Sequence, residues 1–221
     1  MTAPDRSIVR KLASDALARG DSTGWFEQLY ARAAADPAQI PWADLCPNPS
    51  LVAWLDRDQP VGRGQRALVV GCGLGDDAEE LARRGYRVTA FDISPAAIAW
   101  CRRRFPDSAV EYQTVDAMQP PARWRQQFDL IVEIYTLQAL PPAPRAQAAA
   151  GIAACLAAGG TLLVIARGRD AADDPGAMPW PLTRDDFAPL AAAGLVTERF
   201  EDYFDREDPP ARRFRVTLRR P

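Results

Sequence analysis

The stretch ALVVGCGLGDDAEELARRGYRVTAFD, residues 67–92, decides the fold. Residues 67–70 are a short unbroken apolar run, the pattern of a parallel strand covered on both faces. Gly71, Cys72, Gly73, Leu74 and Gly75 then reverse the chain, and glycines in such a turn let the backbone approach a ligand closely. Asp76 suits the N-cap of a helix. Leu81 and Ala82 supply part of its buried face, and Gly85 stops it. Residues 87–91 form a second strand, which delivers Asp92 roughly twenty residues beyond the first glycine, where a carboxylate accepts from both ribose hydroxyls.

The nature of the nucleoside follows from the turn. A dinucleotide places its pyrophosphate on the helix N-terminus, which favours anions. Here that end carries Asp76 and Asp77, and the third glycine comes early, as GxGxG instead of GxGxxG. Both features suit a nucleoside without phosphates that carries an amine and a positive sulfur. From these residues onward the chain resembles the class I S-adenosylmethionine-dependent methyltransferases, over roughly residue 66 to the C-terminus. The resemblance implies an α/β, Rossmann-like sheet of seven strands, mostly parallel with an antiparallel last strand, helices on both faces and an N-terminal helical lid.

Composition bounds the rest. A chain of 221 residues accommodates one α/β domain with a helical appendage. The expected division is a helical extension or lid over residues 1–60 and a cofactor-binding domain over 61–221. A net charge of −2 gives no electrostatic footprint for nucleic acid or an anionic membrane. No N-terminal apolar segment has the length of a signal peptide or a membrane span. Cys46, Cys72, Cys101 and Cys155 form no CxxC pair, so free thiols in a reducing cytoplasm are expected, in a monomer or homodimer.

Residues 5–18 carry Ile8, Val9, Leu12, Ala16 and Leu17 at helical spacing, after a mobile tip, and Trp25, Phe26, Leu29 and Tyr30 begin a second amphipathic helix. A proline-punctuated loop over 40–49 and a short helix around 51–55 follow. One reading makes Trp25, Tyr30 and Trp42 aromatic walls of a lid, because aromatic faces attract a sulfonium as they attract quaternary ammonium. The other makes them packing that seats the appendage on the domain. Ser94 and Pro95 open the next helix, and its last turn, Arg102 to Arg104, reads as a solvated end that suits the helix dipole. Strands are expected at 109–113, 128–134 and 161–166, and a helix at 143–157 stopped by Gly159 and Gly160. The loop over 167–182 reads as a substrate-side cover with Arg167 nearest the pocket. Thr183 caps a helix, and segments 195–204 and 212–219 alternate as a terminal antiparallel hairpin whose turn holds Asp208, Pro209 and Pro210.

The resemblance implies a site for S-adenosyl-L-methionine, with S-adenosyl-L-homocysteine as product, made by Gly71, Cys72, Gly73, Gly75, Asp92, Ile93, Asp116 and Ala117, with Glu133 and Trp25 beside them. Asp116 sits where family members hold the adenine amine. Val69 departs from the acid that many members place two residues before the first glycine. The apolar residue there, the stretch 67–98 and the tryptophan-bearing extension are especially similar to the small-molecule branch, which includes the thiopurine and thiol methyltransferases. Acceptor contacts are expected from Tyr30, Trp42, Tyr135, Gln138, Arg167 and Trp180, with no metal. Glu133, at the end of a buried strand, needs a partner; a cationic methionine amine, the substrate or an arginine would serve.

Methyl transfer from a sulfonium is an in-line displacement that runs mainly on positioning and desolvation. With no histidine in the chain, a nucleophile that ionises readily is favoured: a thiol, an acidic phenol or hydroxy-heterocycle, or a soft inorganic anion. Glu133 and Tyr135 are the candidates to assist an alcohol or amine. Two other readings stay open: a non-catalytic S-adenosylmethionine-binding module acting through a protein partner, and aminopropyl transfer from the same donor.

Overall fold

A computed structural model describes residues 7–59 and 61–221. The tip and the first residues of the helix expected from residue 5, and residue 60 of the expected linker, lie outside the described residues. The strands are β1 (Arg66–Val70), β2 (Arg87–Asp92), β3 (Glu111–Thr114), β4 (Phe128–Ile134), β5 (Leu156–Arg167), β6 (Val196–Phe204) and β7 (Arg212–Arg219). They form one sheet in the order β3-β2-β1-β4-β5-β7-β6. The first five are parallel neighbours, and β7 inserts antiparallel between β5 and β6. The seven-stranded, mostly parallel sheet expected from the sequence is what forms.

Alternation along β1 shows how the sheet is buried on both faces. Leu68 and Val70 join Ile131, Val164 and Val216 under α6 (Pro142–Cys155) and α7 (Ala188–Ala192). Ala67 and Val69 join Leu130, Val132 and Leu163 under α3 (Pro49–Asp58), α4 (Asp76–Arg83) and α5 (Pro95–Arg104). Successive side chains point to opposite faces, so an unbroken apolar run is what a central strand requires. Val70 pairs with Phe91 on one side and Glu133 on the other, which brings the ends of β1, β2 and β4 level.

α1 (Ser7–Ala18) and α2 (Gly24–Ala33) lie over α5, packing Val9, Ala16, Trp25 and Tyr30 with Leu74, Trp100 and Met178. A carboxylate fixes this cover in place. Glu27 Oε2 accepts from Ser94 Oγ at 2.5 Å and from the Ala96 amide at 3.0 Å, at the start of α5. Acids are favoured at that end of a helix. The third helix of the extension behaves differently. Leu51, Trp54 and Leu55 are core residues of the sheet layer, and Trp54 Nε1 donates to Thr217 Oγ1 of β7 at 3.0 Å.

Two sequence expectations shift. The helix expected to run to residue 157 ends at Cys155, and β5 begins at once, passing through Gly159 and Gly160. Its longer N-terminal arm is accommodated by a register change at Phe128/Leu130. On β7, Arg215 donates to the Ser50 carbonyl of α3 at 3.0 Å and Arg213 is 4% exposed, while Arg219 is exposed. At the end of α5, Arg102 and Arg103 are exposed as expected, and none of Arg102 to Arg104 lines the cavity described below. Arg104 grips both oxygens of Asp76 at 2.8 Å, and Arg102 donates to the Tyr112 carbonyl at 2.5 Å. Finally, Cys46 is exposed although buried thiols were expected.

Candidate functional site

The turn after β1 lies where the parallel strands end. Gly71 takes φ +59°, and a Cβ there would fall 2.1 Å from Thr136 Oγ1, so the turn after β1 and the turn after β4 close on one another without room for a side chain. Gly75, at φ +93°, is itself the N-cap of α4, displacing Asp76 from that role into the first turn. Its missing Cβ leaves space for Tyr112 and Cys101, and Gly75 is not a wall residue. The third glycine therefore shapes the helix start and does not face the ligand space that the sequence assigned to it.

That space is a cavity of about 830 Å³ whose wall includes Gly71, Cys72, Gly73, Asp92, Ile93, Asp116 and Ala117. Its size lies toward the top of the range of about 300–1,000 Å³ for ligand pockets. Asp92 is 6% exposed and accepts from the Gly73 amide and the Ser94 amide, both at 3.0 Å. Burial nevertheless pushes its carboxyl up to about 6. Asp116 Oδ1 accepts from the Met118 amide at 2.8 Å, which fixes its loop. The Cys72 thiol, held by Cys101 and by burial, is pushed well above its usual range. Of the two acids expected to repel phosphates, Asp76 is paired with Arg104, while Asp77 stays on the wall, pushed up to about 6 by burial and accepting from the Asn48 amide.

The same wall includes Tyr135, Gln138, Arg167, Met178, Pro179 and Arg213, with Trp42 and Asn48 from the cover. Tyr135 takes φ +63°, a conformation that side chains rarely adopt and that is associated with functional sites. Its ring lies under the Arg213 guanidinium, 5.0 Å away, and its hydroxyl accepts from Asn48 Nδ2 at 3.4 Å. Gln138 Oε1 accepts from the Arg167 amide at 2.7 Å. Arg167 and Arg213 are direct partners across β5 and β7. Trp25, Tyr30 and Trp42 all reach the cavity, and Trp42 Nε1 donates to the Tyr30 hydroxyl at 2.9 Å, so lid and packing are one structure here.

Two assigned residues lie elsewhere. Trp180 packs against the cover and is not on the cavity wall; its amide donates to the Gln138 carbonyl at 2.9 Å. Glu133 is 0% exposed and off the wall, beneath the turn that follows β4. Its Oε1 accepts from the Thr136 amide at 2.7 Å and the Leu137 amide at 2.9 Å. The partners of Oε1 are thus two peptide groups, and no arginine among the described residues bonds it. Sequence reasoning missed Asn48, Met178, Glu207, Asp208, Pro209 and Arg213 on the wall. Only the unusual Asp208-Pro209-Pro210 run marked the hairpin, and it was read as a simple turn.

Comparison with known proteins agrees with this geometry. Residues 67–160 match the family model described as "Methyltransferase domain". The ubiquinone biosynthesis O-methyltransferase of Pseudomonas aeruginosa is 33% identical over 96 residues, which is 42% of this chain and 41% of that protein. The chain therefore matches about two-fifths of the length of these curated relatives. Among solved structures, a 1,6-didemethyltoxoflavin-N1-methyltransferase from Burkholderia thailandensis, with its acceptor and S-adenosylhomocysteine bound, has a TM-score of 0.60 at 20% identity, covering 100% of this chain and 91% of that one. The [4+2]-cyclase SpnF has a TM-score of 0.66 at 20% identity, covering 100% and 96%. These likenesses establish the Rossmann-like methyltransferase fold. Since one of the folds is described as a cyclase, the chemistry must be argued from the site.

The wall fits S-adenosylmethionine. Asp92 would hold the ribose hydroxyls, Asp116 the adenine amine and the Gly71–Gly73 turn the methionine portion, while Asp77 keeps phosphates away from α4. When bound, the cofactor supplies an electrophilic methyl group on a positive sulfur.

Proposed function

We propose that this chain, which carries a methyltransferase domain over residues 67–160, transfers a methyl group from S-adenosylmethionine to a small-molecule acceptor with an ionisable thiol, phenol or hydroxy-heterocycle. The observation that carries this reading is one cavity of about 830 Å³ whose wall brings Asp92 and Asp116 together with Tyr135, Gln138, Arg167 and Arg213. A non-catalytic module would have no use for the second of those groups. The Burkholderia neighbour holds an acceptor together with S-adenosylhomocysteine in the same fold.

The chain's residues act by orienting and desolvating. The cover formed by Trp25, Tyr30 and Trp42 shields the reacting atoms from water, which strengthens every charge interaction inside. Tyr135 and Gln138 set the floor against which an acceptor ring rests. Arg167 favours the ionised form of a nearby thiol or phenol, as positive charge does for any acid, whereas Arg213 is already paired with Asp205 and Glu207. With Glu133 off the wall and no histidine in the chain, Tyr135 is the remaining candidate to take a proton, and an acceptor that ionises readily needs none. The unpaired state of the four cysteines supports a reducing compartment.

The test is a panel of thiols, phenols and hydroxyquinolines incubated with S-adenosylmethionine, read by release of S-adenosylhomocysteine. Turnover that tracks acceptor acidity is expected. Absence of binding to both forms of the cofactor in calorimetry would end this reading. Trp42, 37% exposed, is a wall residue whose removal leaves the core intact. Trp42→Ala is expected to raise the KM of the acceptor about tenfold, the effect of roughly 1.4 kcal/mol of lost aromatic contact, with little change in melting temperature. A collapsed melting temperature with normal specific activity would make Trp42 a packing residue.

A further inference from the structure

The segment 135–140 contributes Tyr135, Thr136, Gln138, Ala139 and Leu140 to the cavity wall, yet no regular strand or long helix supports it. It turns sharply at Tyr135, φ +63°, and continues as one 3-10 turn, Leu137–Ala139. Buried charges hold both of its ends. At the start, Glu133 Oε1 takes the amides of Thr136 and Leu137, as described above. At the finish, Arg145 of α6, 6% exposed, donates from Nε to the carbonyls of Leu137 at 3.1 Å and Leu140 at 3.2 Å, and from Nη2 to Leu140 at 3.0 Å. Its Nη1 is taken by Asp186. Acid on amides and base on carbonyls match the polarity of the turn between them.

The arrangement is costly for a mere turn. Glu133 Oε2 has no hydrogen-bond partner among the described residues, and an unpartnered buried polar atom weakens a fold. A shorter side chain would cap a turn without burying that oxygen. What the longer side chain reaches, from the core side of the sheet, is the pair of amides immediately after Tyr135.

We propose that Glu133 and Arg145 are positioning residues that clamp the segment 135–140 from its two ends and so hold Tyr135 and Gln138 against the acceptor. Neither touches the cavity's contents; both act through the backbone they grip. The inference rests on the methyl-transfer reading for what the floor does, and on hydrogen bonding alone for how it is held.

The experiment compares wild type, Glu133→Ala and Glu133→Gln, with thiophenol as acceptor and calorimetry of S-adenosylhomocysteine alongside. In Glu133→Ala, kcat is expected to fall about 100-fold, the effect of misplacing a reacting group by an ångström, while affinity for S-adenosylhomocysteine stays within about threefold. Glu133→Gln keeps an oxygen for the same two amides and is expected to recover kcat to within about fivefold of wild type. Unchanged kcat in the alanine variant, equal loss in both variants, or affinity falling in step with kcat would each overturn the proposal. Should the alanine variant not fold, or thiophenol not be turned over, hydrogen exchange decides it. The Thr136 and Leu137 amides of the wild type must be protected like those of β4, and exchange at the rate of an exposed loop overturns the clamp. A wild type that binds no S-adenosylhomocysteine refutes the function and leaves the exchange result standing on its own.

Discussion

Replacement of Asp92 by alanine is expected to weaken binding of S-adenosylhomocysteine by roughly 30- to 1,000-fold, about 2–4 kcal/mol. The carboxylate stands at the end of β2, nearly sealed from solvent, with one hydrogen bond from the glycine turn and one from the start of α5. Each of its oxygens has a further lone pair for a ribose hydroxyl. Removing it leaves those hydroxyls unpaired in a buried site and also frees the Gly73 amide, so the turn loses its tie to β2. Calorimetry on the folded variant checks the outcome. Affinity within a factor of two of wild type would remove Asp92 from the cofactor site.

Much of the cofactor end was legible because it is local. An apolar run, three glycines and a carboxylate lie within 26 residues, and the strand period carries Asp92 to the sheet edge whatever the distant chain does. Even there the fine assignment slipped by one residue. Gly75 takes the cap through a left-handed φ that a sequence does not display, and Asp76 is drawn to Arg104, 28 positions on. The acceptor end was far less legible. Arg213 reaches the wall only because β7 enters the sheet beside β5, which places it opposite Arg167. Glu207 follows because it and Asp205 bind that guanidinium at 2.6 Å. Glu133 was correctly seen as a carboxylate in need of a partner. Its partners are amides three and four residues further on, which come within reach only when Tyr135 turns the backbone. Pairings set by long-range topology or by a single unusual dihedral leave no periodic trace.

The same three buried acids predict an unusual dependence of stability on pH. Burial raises Asp77 from 3.8 to about 6, Asp92 from 3.8 to about 6 and Glu133 from 4.5 to about 7. Between about pH 4 and pH 7 the folded chain keeps protons that the unfolded chain has released, so stability must fall as pH rises through that window. Each group contributes at most on the order of 3 kcal/mol when fully titrated. Acids held low by arginines act in the opposite sense but at lower pH. Glu201, brought down to about 2 chiefly by Arg215, adds stability as pH rises through the ordinary glutamate range and is level above about pH 5.5. The melting temperature without ligand is therefore expected to drop by on the order of 10 °C from pH 5 to pH 8, at about 2–4 °C per kcal/mol for a chain of this size. Saturating S-adenosylhomocysteine should shrink the slope, because hydroxyls donating to Asp92 favour its charged form and return its titration toward that of a free carboxylate. Calorimetric melts at constant ionic strength measure both curves. A level or rising profile without ligand would mean that water reaches these carboxylates, and a slope indifferent to ligand would mean that Asp92 does not meet the ribose.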